Sequence, residues 1–200
     1  MSNTNDNTVT TTLKQPVIWL FVASIMLGVI AEALIMFATP LIILDITGKV
    51  SASGMAFAIE WLPAVLIFPF AGVFVDRLGG KRVFVYSSSL RALIVGIAVV
   101  AIYWLPEFSV AILLINAALM SVFMAPNRMA VEKLIPRIVS REQLAVVQSA
   151  VQNSELIGWT LGPALAAYFT IFFDTPVVLI AACLAFVLSL LPVFCLKPSA

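Results

Sequence analysis

The sequence predicts an all-α membrane protein with six transmembrane helices. Of its 200 residues, 62% are hydrophobic and only 10% are charged, whereas soluble domains average about 45–50% apolar and about 25% charged residues. The apolar residues fall into six runs, each close to the roughly 20 residues that a helix needs to cross a bilayer. There is no histidine, which removes zinc sites, Ser-His-Asp triads and imidazole proton relays. We therefore expect no enzyme, no cofactor, no bound metal and no nucleic-acid partner.

The predicted spans follow one another with short connections, so neighbouring spans run antiparallel. They cover residues 16–44, 52–75, 83–104, 108–126, 144–172 and 176–195. Residues 1–15, rich in Ser, Thr and Asn, are predicted to be a disordered cytoplasmic tail. The first run is too long for the core of a signal peptide, so we interpret it as an uncleaved span.

The cations predict the orientation of these spans. Nine of the 11 Lys and Arg residues lie at span ends on one side, Lys49 lies on the other side, and Arg91 lies inside the third span. By the positive-inside rule, both termini are cytoplasmic in a multi-pass protein of the plasma (inner) membrane.

The connection between the fourth and fifth spans, residues 127–143, has a pattern of its own. Apolar residues alternate with charged ones, which favours a short helix lying at the cytoplasmic interface until Pro136 interrupts it. Ser140 and Gln143 then form a predicted capping box that starts the fifth helix at Arg141.

Four charged residues lie inside the predicted spans: Glu32, Glu60, Arg91 and Glu155. A charge at membrane depth costs a few kcal/mol even on lenient scales, so its presence there suggests a function. The three carboxylates predict a water-accessible pathway for substrate and protons. For Arg91 we favour a structural role, in which it reaches the interface or pairs with a carboxylate.

Uncharged polar residues extend the predicted pathway. On the fifth span, Gln148 and Gln152 share a face with Glu155, and on the fourth Asn116 forms a stripe with Met120 and Met124. We expect an interior cavity lined by the first, second, fourth and fifth helices. The alternative is that these groups only hold helices together through interhelical hydrogen bonds.

Two glycine-containing motifs stand out. Between the second and third spans lies a charged loop that contains Gly72, Asp76, Arg77, Gly79, Lys81 and Arg82. In the fifth span, Gly158 and Gly162 form a small-xxx-small face that lets another helix approach, and Pro163 is predicted to bend the helix.

Both motifs resemble those of the major facilitator superfamily, the first its signature loop and the second its antiporter motif. The runs Glu60–Pro63 and Leu134–Pro136 are similar to the branch that contains the enterobactin exporter and macrolide efflux proteins. Three departures accompany the likeness. Gly80 stands where the loop usually has a cation, the fourth span lacks the arginine of many proton antiporters, and the chain has one six-helix half instead of two.

The resemblance implies half of a major-facilitator-type bundle in a secondary active efflux transporter. Such a protein exports a small amphipathic solute, drug or siderophore, with proton antiport on Glu32, Glu60 or Glu155 as one means of coupling. The protein would lie in the lipid bilayer, with the signature loop acting as a latch on the cytoplasmic side. In that latch Gly72 would allow close helix approach, and Asp76 and Arg77 would make charge contacts that can break. A second six-helix half is expected, and the chain would be a fragment, a partner of a separately encoded half, or a homodimer. The alternative is a membrane scaffold that does not transport.

Overall fold

The computed structural model describes residues 15–195, and in this range the chain forms six α-helices and no strand. The helices are α1 (Gln15–Thr47), α2 (Val50–Leu78), α3 (Gly80–Trp104), α4 (Ser109–Ile138), α5 (Arg141–Phe172) and α6 (Thr175–Cys195), with a 3-10 turn at Pro106–Phe108. The predicted tail, residues 1–15, lies outside the described range except for its last residue. The all-α fold predicted from composition is confirmed.

Five of these helices, α1 to α5, are long and apolar enough to cross a membrane, and α6 is apolar and the shortest of the six. The protein is therefore an integral membrane bundle. The helices extend beyond the predicted spans by one to three residues at seven of the twelve ends and by 12 residues at the end of α4, because helical hydrogen bonding continues into the polar flanks of the apolar runs.

The predicted interfacial helix is wrong as a separate element. Residues 127–138 continue α4 without a break, and Pro136 lies inside that helix instead of ending it. Val131, Leu134 and Ile135 are buried in an apolar cluster with residues of α1, α2 and α3. This packing stabilises the extended helix, as tertiary contacts commonly do.

The predicted capping box is also absent, although α5 does begin at Arg141. Ser140 is the N-cap residue with an extended backbone, but its side chain makes no capping hydrogen bond. In a capping box, the Ser140 hydroxyl would accept a hydrogen bond from the Gln143 N–H. That N–H donates instead to the Ser140 carbonyl at 3.1 Å. That donor is satisfied by backbone, so the side chain is not needed.

Helix α1 lies at the centre of the bundle, where it contacts α5, α6 and α2, while α4 contacts α2 and α3, and α3 contacts α6. The contact of α1 with α5 is close because Gly158 and Gly162 face it. A Cβ on Gly158 would lie 2.6 Å from Val29 Cγ1, and one on Gly162 would lie 3.2 Å from the Ala33 Cα. The absence of these Cβ atoms sets the spacing of the two helices.

Helices α2 and α5 are the least covered of the five long helices, with 22% and 17% of their most apolar stretch buried. The corresponding share of α1 is 50%. Helices α2 and α5 therefore have few neighbours from the described chain.

Candidate functional site

A buried ion pair joins α1 to α3 in the middle of the bundle. Arg91 Nη2 lies 2.7 Å from Glu32 Oε2, and the two side chains are 2% and 16% exposed. The guanidinium carbon also lies 4.7 Å from the centre of the Phe186 ring of α6, which is a cation–π contact. Arg91 thus pairs with a carboxylate, one of the two roles expected for it, and does not reach the interface.

A second ion pair lies nearby and joins α4 to α5. Arg128 Nη2 is 3.2 Å from Glu155 Oε2, and this pair is more exposed than the first. Both pairs line one cleft of about 50 Å³, which also contains the rings of Trp159 and Phe186. The cleft is formed by α1, α3, α4, α5 and α6.

Arg128 was not predicted as a site residue, because residues 127–143 were predicted to lie outside the bundle as an interfacial connection. A signal for it was present. Arg128 follows Met124 by four residues, so it continues the stripe of Asn116, Met120 and Met124 by one more helical turn. With α4 continuous through residue 138, that turn belongs to the bundle.

Glu60 of α2 lies in a second, smaller cavity of about 30 Å³ that it shares with Glu32 and Arg91. The side chain is 6% exposed. Within the described residues neither of its carboxylate oxygens has a hydrogen bond of acceptable geometry, although the Thr39 side chain is close enough to interact with it. The structure thus brings three of the four predicted intramembrane charges, from α1, α2 and α3, to one cavity.

The three uncharged polar residues predicted for the pathway, Asn116, Gln148 and Gln152, do not line the cavities that contain these charges. Asn116 is buried, its side-chain amide has no hydrogen-bond partner among the described residues, and it is not among the residues lining either cavity. Gln148 and Gln152 are exposed on α5 and line neither cavity. The expectation of a cavity lined by the first, second, fourth and fifth helices needs correction. Helices α3 and α6 contribute Arg91 and Phe186, because α6 packs against α1 and α3 packs against α4 and α6.

The predicted charged loop between the second and third spans is not a loop, because Asp76 and Arg77 lie in the last turn of α2 and α3 begins at Gly80. The end of α2 is tied to α4 by Lys133, whose ammonium pairs with the Asp76 carboxylate and also donates to the Gly72 carbonyl at 3.1 Å. Gly79 has φ +87°, a backbone conformation that favours glycine, and it separates α2 from α3. Arg77 and Arg82 are exposed. We call the end of the bundle that carries these residues the basic end.

The close approach expected at Gly72 occurs at Gly80 instead. No other described atom outside its own helix turn lies within 4 Å of where a Gly72 Cβ would be, whereas a Cβ on Gly80 would lie 3.1 Å from the Ala130 carbonyl oxygen. Helix α5 runs through Pro163 without ending. A Gly-Pro pair therefore lies inside a continuous helix, one turn beyond Gly158.

Comparison with known proteins agrees with this architecture. Residues 14–200 match the family model of the Major Facilitator Superfamily. The chain belongs to this superfamily. It is also 28% identical over 157 residues to the macrolide efflux protein A of Streptococcus pyogenes, and equally to that of its serotype M6. These alignments cover 78% of the chain but 37% of each relative, so the chain spans little more than a third of the length of the proteins that it matches.

Proposed function

We propose that this major facilitator chain is the N-terminal six-helix half of a secondary active efflux transporter that exports a small amphipathic solute, drug or siderophore. The observation that carries the proposal is the cleft at the centre of the bundle. Charged side chains from four helices meet there beside Trp159 and Phe186. Charges at membrane depth are costly, and in membrane proteins they mark substrate and ion pathways.

The chemistry of the cleft suits an amphipathic solute. The rings of Trp159 and Phe186 offer apolar and cation-binding surfaces, while Glu32 and Glu155 offer carboxylates that could accept hydrogen bonds or balance a cationic group. Macrolides, the solutes in the name of the relatives, combine an apolar ring with polar substituents. They are therefore a suitable first probe.

The size of the cleft supports the need for a second half. Small-molecule sites are usually about 300–1,000 Å³, whereas this cleft measures about 50 Å³. The exposed side of the bundle supports it as well. Gln148 and Gln152 are exposed on α5, in one of the two least covered helices, and polar side chains are unfavourable against lipid tails. We propose that a second six-helix half covers this side, whether it is the rest of a longer polypeptide, a separate chain or a second copy.

The same proposal includes an orientation and a latch. The basic end faces the cytoplasm, in accordance with the positive-inside rule. The Asp76–Lys133 pair fastens the end of α2 to α4 while the cytoplasmic side is closed, and Arg77 and Arg82 are left to contact the other half. Proton antiport would use the buried carboxylates, of which Glu60 is the one without a cation beside it.

The test is transport in inside-out membrane vesicles that contain this chain with a second half from a macrolide efflux relative. Uptake of a labelled macrolide, with and without an imposed pH gradient, is compared with vesicles that contain either half alone. We expect uptake from the pair only, and loss of uptake in Glu32→Gln. The conservative variant Ser109→Ala serves as the matched control, because Ser109 begins α4 at the end away from Arg128 and lines neither cavity. Uptake no greater than in empty vesicles, across macrolide and cationic dye probes, would refute the proposal.

A further inference from the structure

We propose that Arg91 is a shared cation that exchanges between two carboxylates, Glu32 of α1 and Glu60 of α2. This inference rests on the proposed transport function, because the exchange would give that function its coupling step. The structure shows one of the two pairings, Arg91 with Glu32 at 2.7 Å. Glu60 lines the same small cavity as both members of this pair.

The first argument is the hydrogen-bonding state of the cavity. The Nε of Arg91 and both carboxylate oxygens of Glu60 are buried without a hydrogen bond of acceptable geometry in the described part of the chain, although the Thr39 side chain is close enough to Glu60 to interact with it. Unsatisfied buried polar groups in native proteins call for an explanation, such as a water or a change of partner. A cavity of about 30 Å³ has room for at least one water, which needs roughly 10–15 Å³. A donor and an acceptor without partners therefore face one space in which water could link them.

The second argument is charge. One guanidinium can balance one carboxylate at a time, and a second carboxylate buried beside it without a cation is stable only in its neutral form. The groups around the cavity offer no other balance at short range. Cys183 of α6 contacts the Ala92 carbonyl, the α4 wall is uncharged, and Glu155 of α5 is already paired with Arg128. A proton and Arg91 are thus distributed over two carboxylates.

The exchange follows from this balance. When Glu60 gives up its proton, its carboxylate competes for Arg91, and Glu32 must then bind a proton or a cationic group of a substrate. The proton that leaves Glu60 and the cation that reaches Glu32 keep the total charge of the cavity constant. Three methionines, Met36, Met120 and Met124, line the cavity, and their unbranched side chains can repack as the guanidinium moves. Because the carboxylates are on α1 and α2, the exchange would alter the contact between these helices.

The protonation states can be measured without transport. The purified chain in detergent is treated with dicyclohexylcarbodiimide, which modifies neutral carboxylic acids in apolar surroundings, and the labelled residues are identified by mass spectrometry. In the wild type we expect labelling at Glu60 and protection of Glu32. In Glu32→Gln, Arg91 has one carboxylate left, so labelling of Glu60 should fall about tenfold, which corresponds to about 1.4 kcal/mol of ion-pair stabilisation. In Arg91→Gln both carboxylates should be labelled.

Glu107→Gln, at an exposed position in the 3-10 turn between α3 and α4, is the matched control and should leave the labelling of Glu60 unchanged, since Glu107 does not line the cavity. Infrared spectroscopy provides a second measurement if a variant does not fold. The wild type should show a carboxylic-acid carbonyl band that disappears in Glu60→Gln. Labelling of Glu60 that is equal in the wild type and in Glu32→Gln, or the absence of that band, would overturn the exchange. A failure of transport with these labelling changes intact would refute the proposed function instead.

Discussion

Replacing Gly162 with alanine should destabilise the bundle, because the added methyl group would collide with α1. The new Cβ would lie 3.2 Å from both the Cα and the carbonyl carbon of Ala33, and closer still to the Ala33 Cβ. Carbon atoms pack at about 3.5–4.0 Å, so α1 and α5 would have to separate by several tenths of an ångström or more. All three neighbouring atoms are backbone or Cβ, so none can rotate away. We expect an overpacking cost of about 1–3 kcal/mol.

The matched control is Gly54→Ala in α2, where no other described atom lies within 4 Å of the new Cβ. Both substitutions gain the same helix propensity, about 1 kcal/mol relative to glycine in water. The difference between the two variants therefore isolates the contact with α1. The assay is the midpoint of thermal unfolding in detergent, followed by size-exclusion chromatography of heated samples. We expect a lower midpoint for Gly162→Ala and an unchanged or higher one for Gly54→Ala. Equal midpoints would show that α1 and α5 are not packed through Gly162.

Three further predictions use the same thermal assay. Arg91→Leu should cost about 3–5 kcal/mol, because it leaves a buried carboxylate without its cation; a variant as stable as the wild type would mean that this pair is not formed. A double-mutant cycle of Asp76→Asn and Lys133→Gln should give a stabilising coupling of about 0.2–1 kcal/mol, as expected for a largely exposed pair, and a destabilising coupling would contradict the pairing. Ser121→Ala should cost about 1–3 kcal/mol, since its hydroxyl accepts a hydrogen bond from a buried backbone N–H of α2 at 2.9 Å; Ser109→Ala should cost less, about 0.5–1.5 kcal/mol, because its hydroxyl donates only a solvent-exposed hydrogen bond to the Pro106 carbonyl.

The sequence located four of the five charged residues of the site, all except Arg128, but not their pairing. Glu32, Glu60, Arg91 and Glu155 stand out in the sequence because charge is rare inside apolar runs. Pairing depends on the angular positions of helices that are far apart in the chain. The 58 residues between Glu32 and Arg91 therefore say nothing about their contact at 2.7 Å.

The polar residues of α5 show that residues on one helix face do not all reach the same site. The i, i+4, i+7 spacing correctly placed Gln148, Gln152 and Glu155 on one helix, but only Glu155 reaches the cleft. Helical periodicity gives the face on which a residue lies, with a spread of tens of degrees, whereas a neighbouring helix covers only part of that face. Which residues are covered depends on where α1 crosses α5.

The sequence alone determined that this protein is an all-α membrane bundle, because the bilayer requires long apolar helices and every such helix leaves a local record in composition. It also indicated the charged motif at the junction of α2 and α3 and the Gly158–Gly162 face, since both are short motifs with local causes. The tertiary structure decided that α4 continues past Pro126 and Pro136, that Gly80 instead of Gly72 is the point of close approach, and that Arg91 joins Glu32 in a cavity with Glu60. These features depend on the contacts between helices, which are set by the packing of many side chains together and leave no local signal in the sequence.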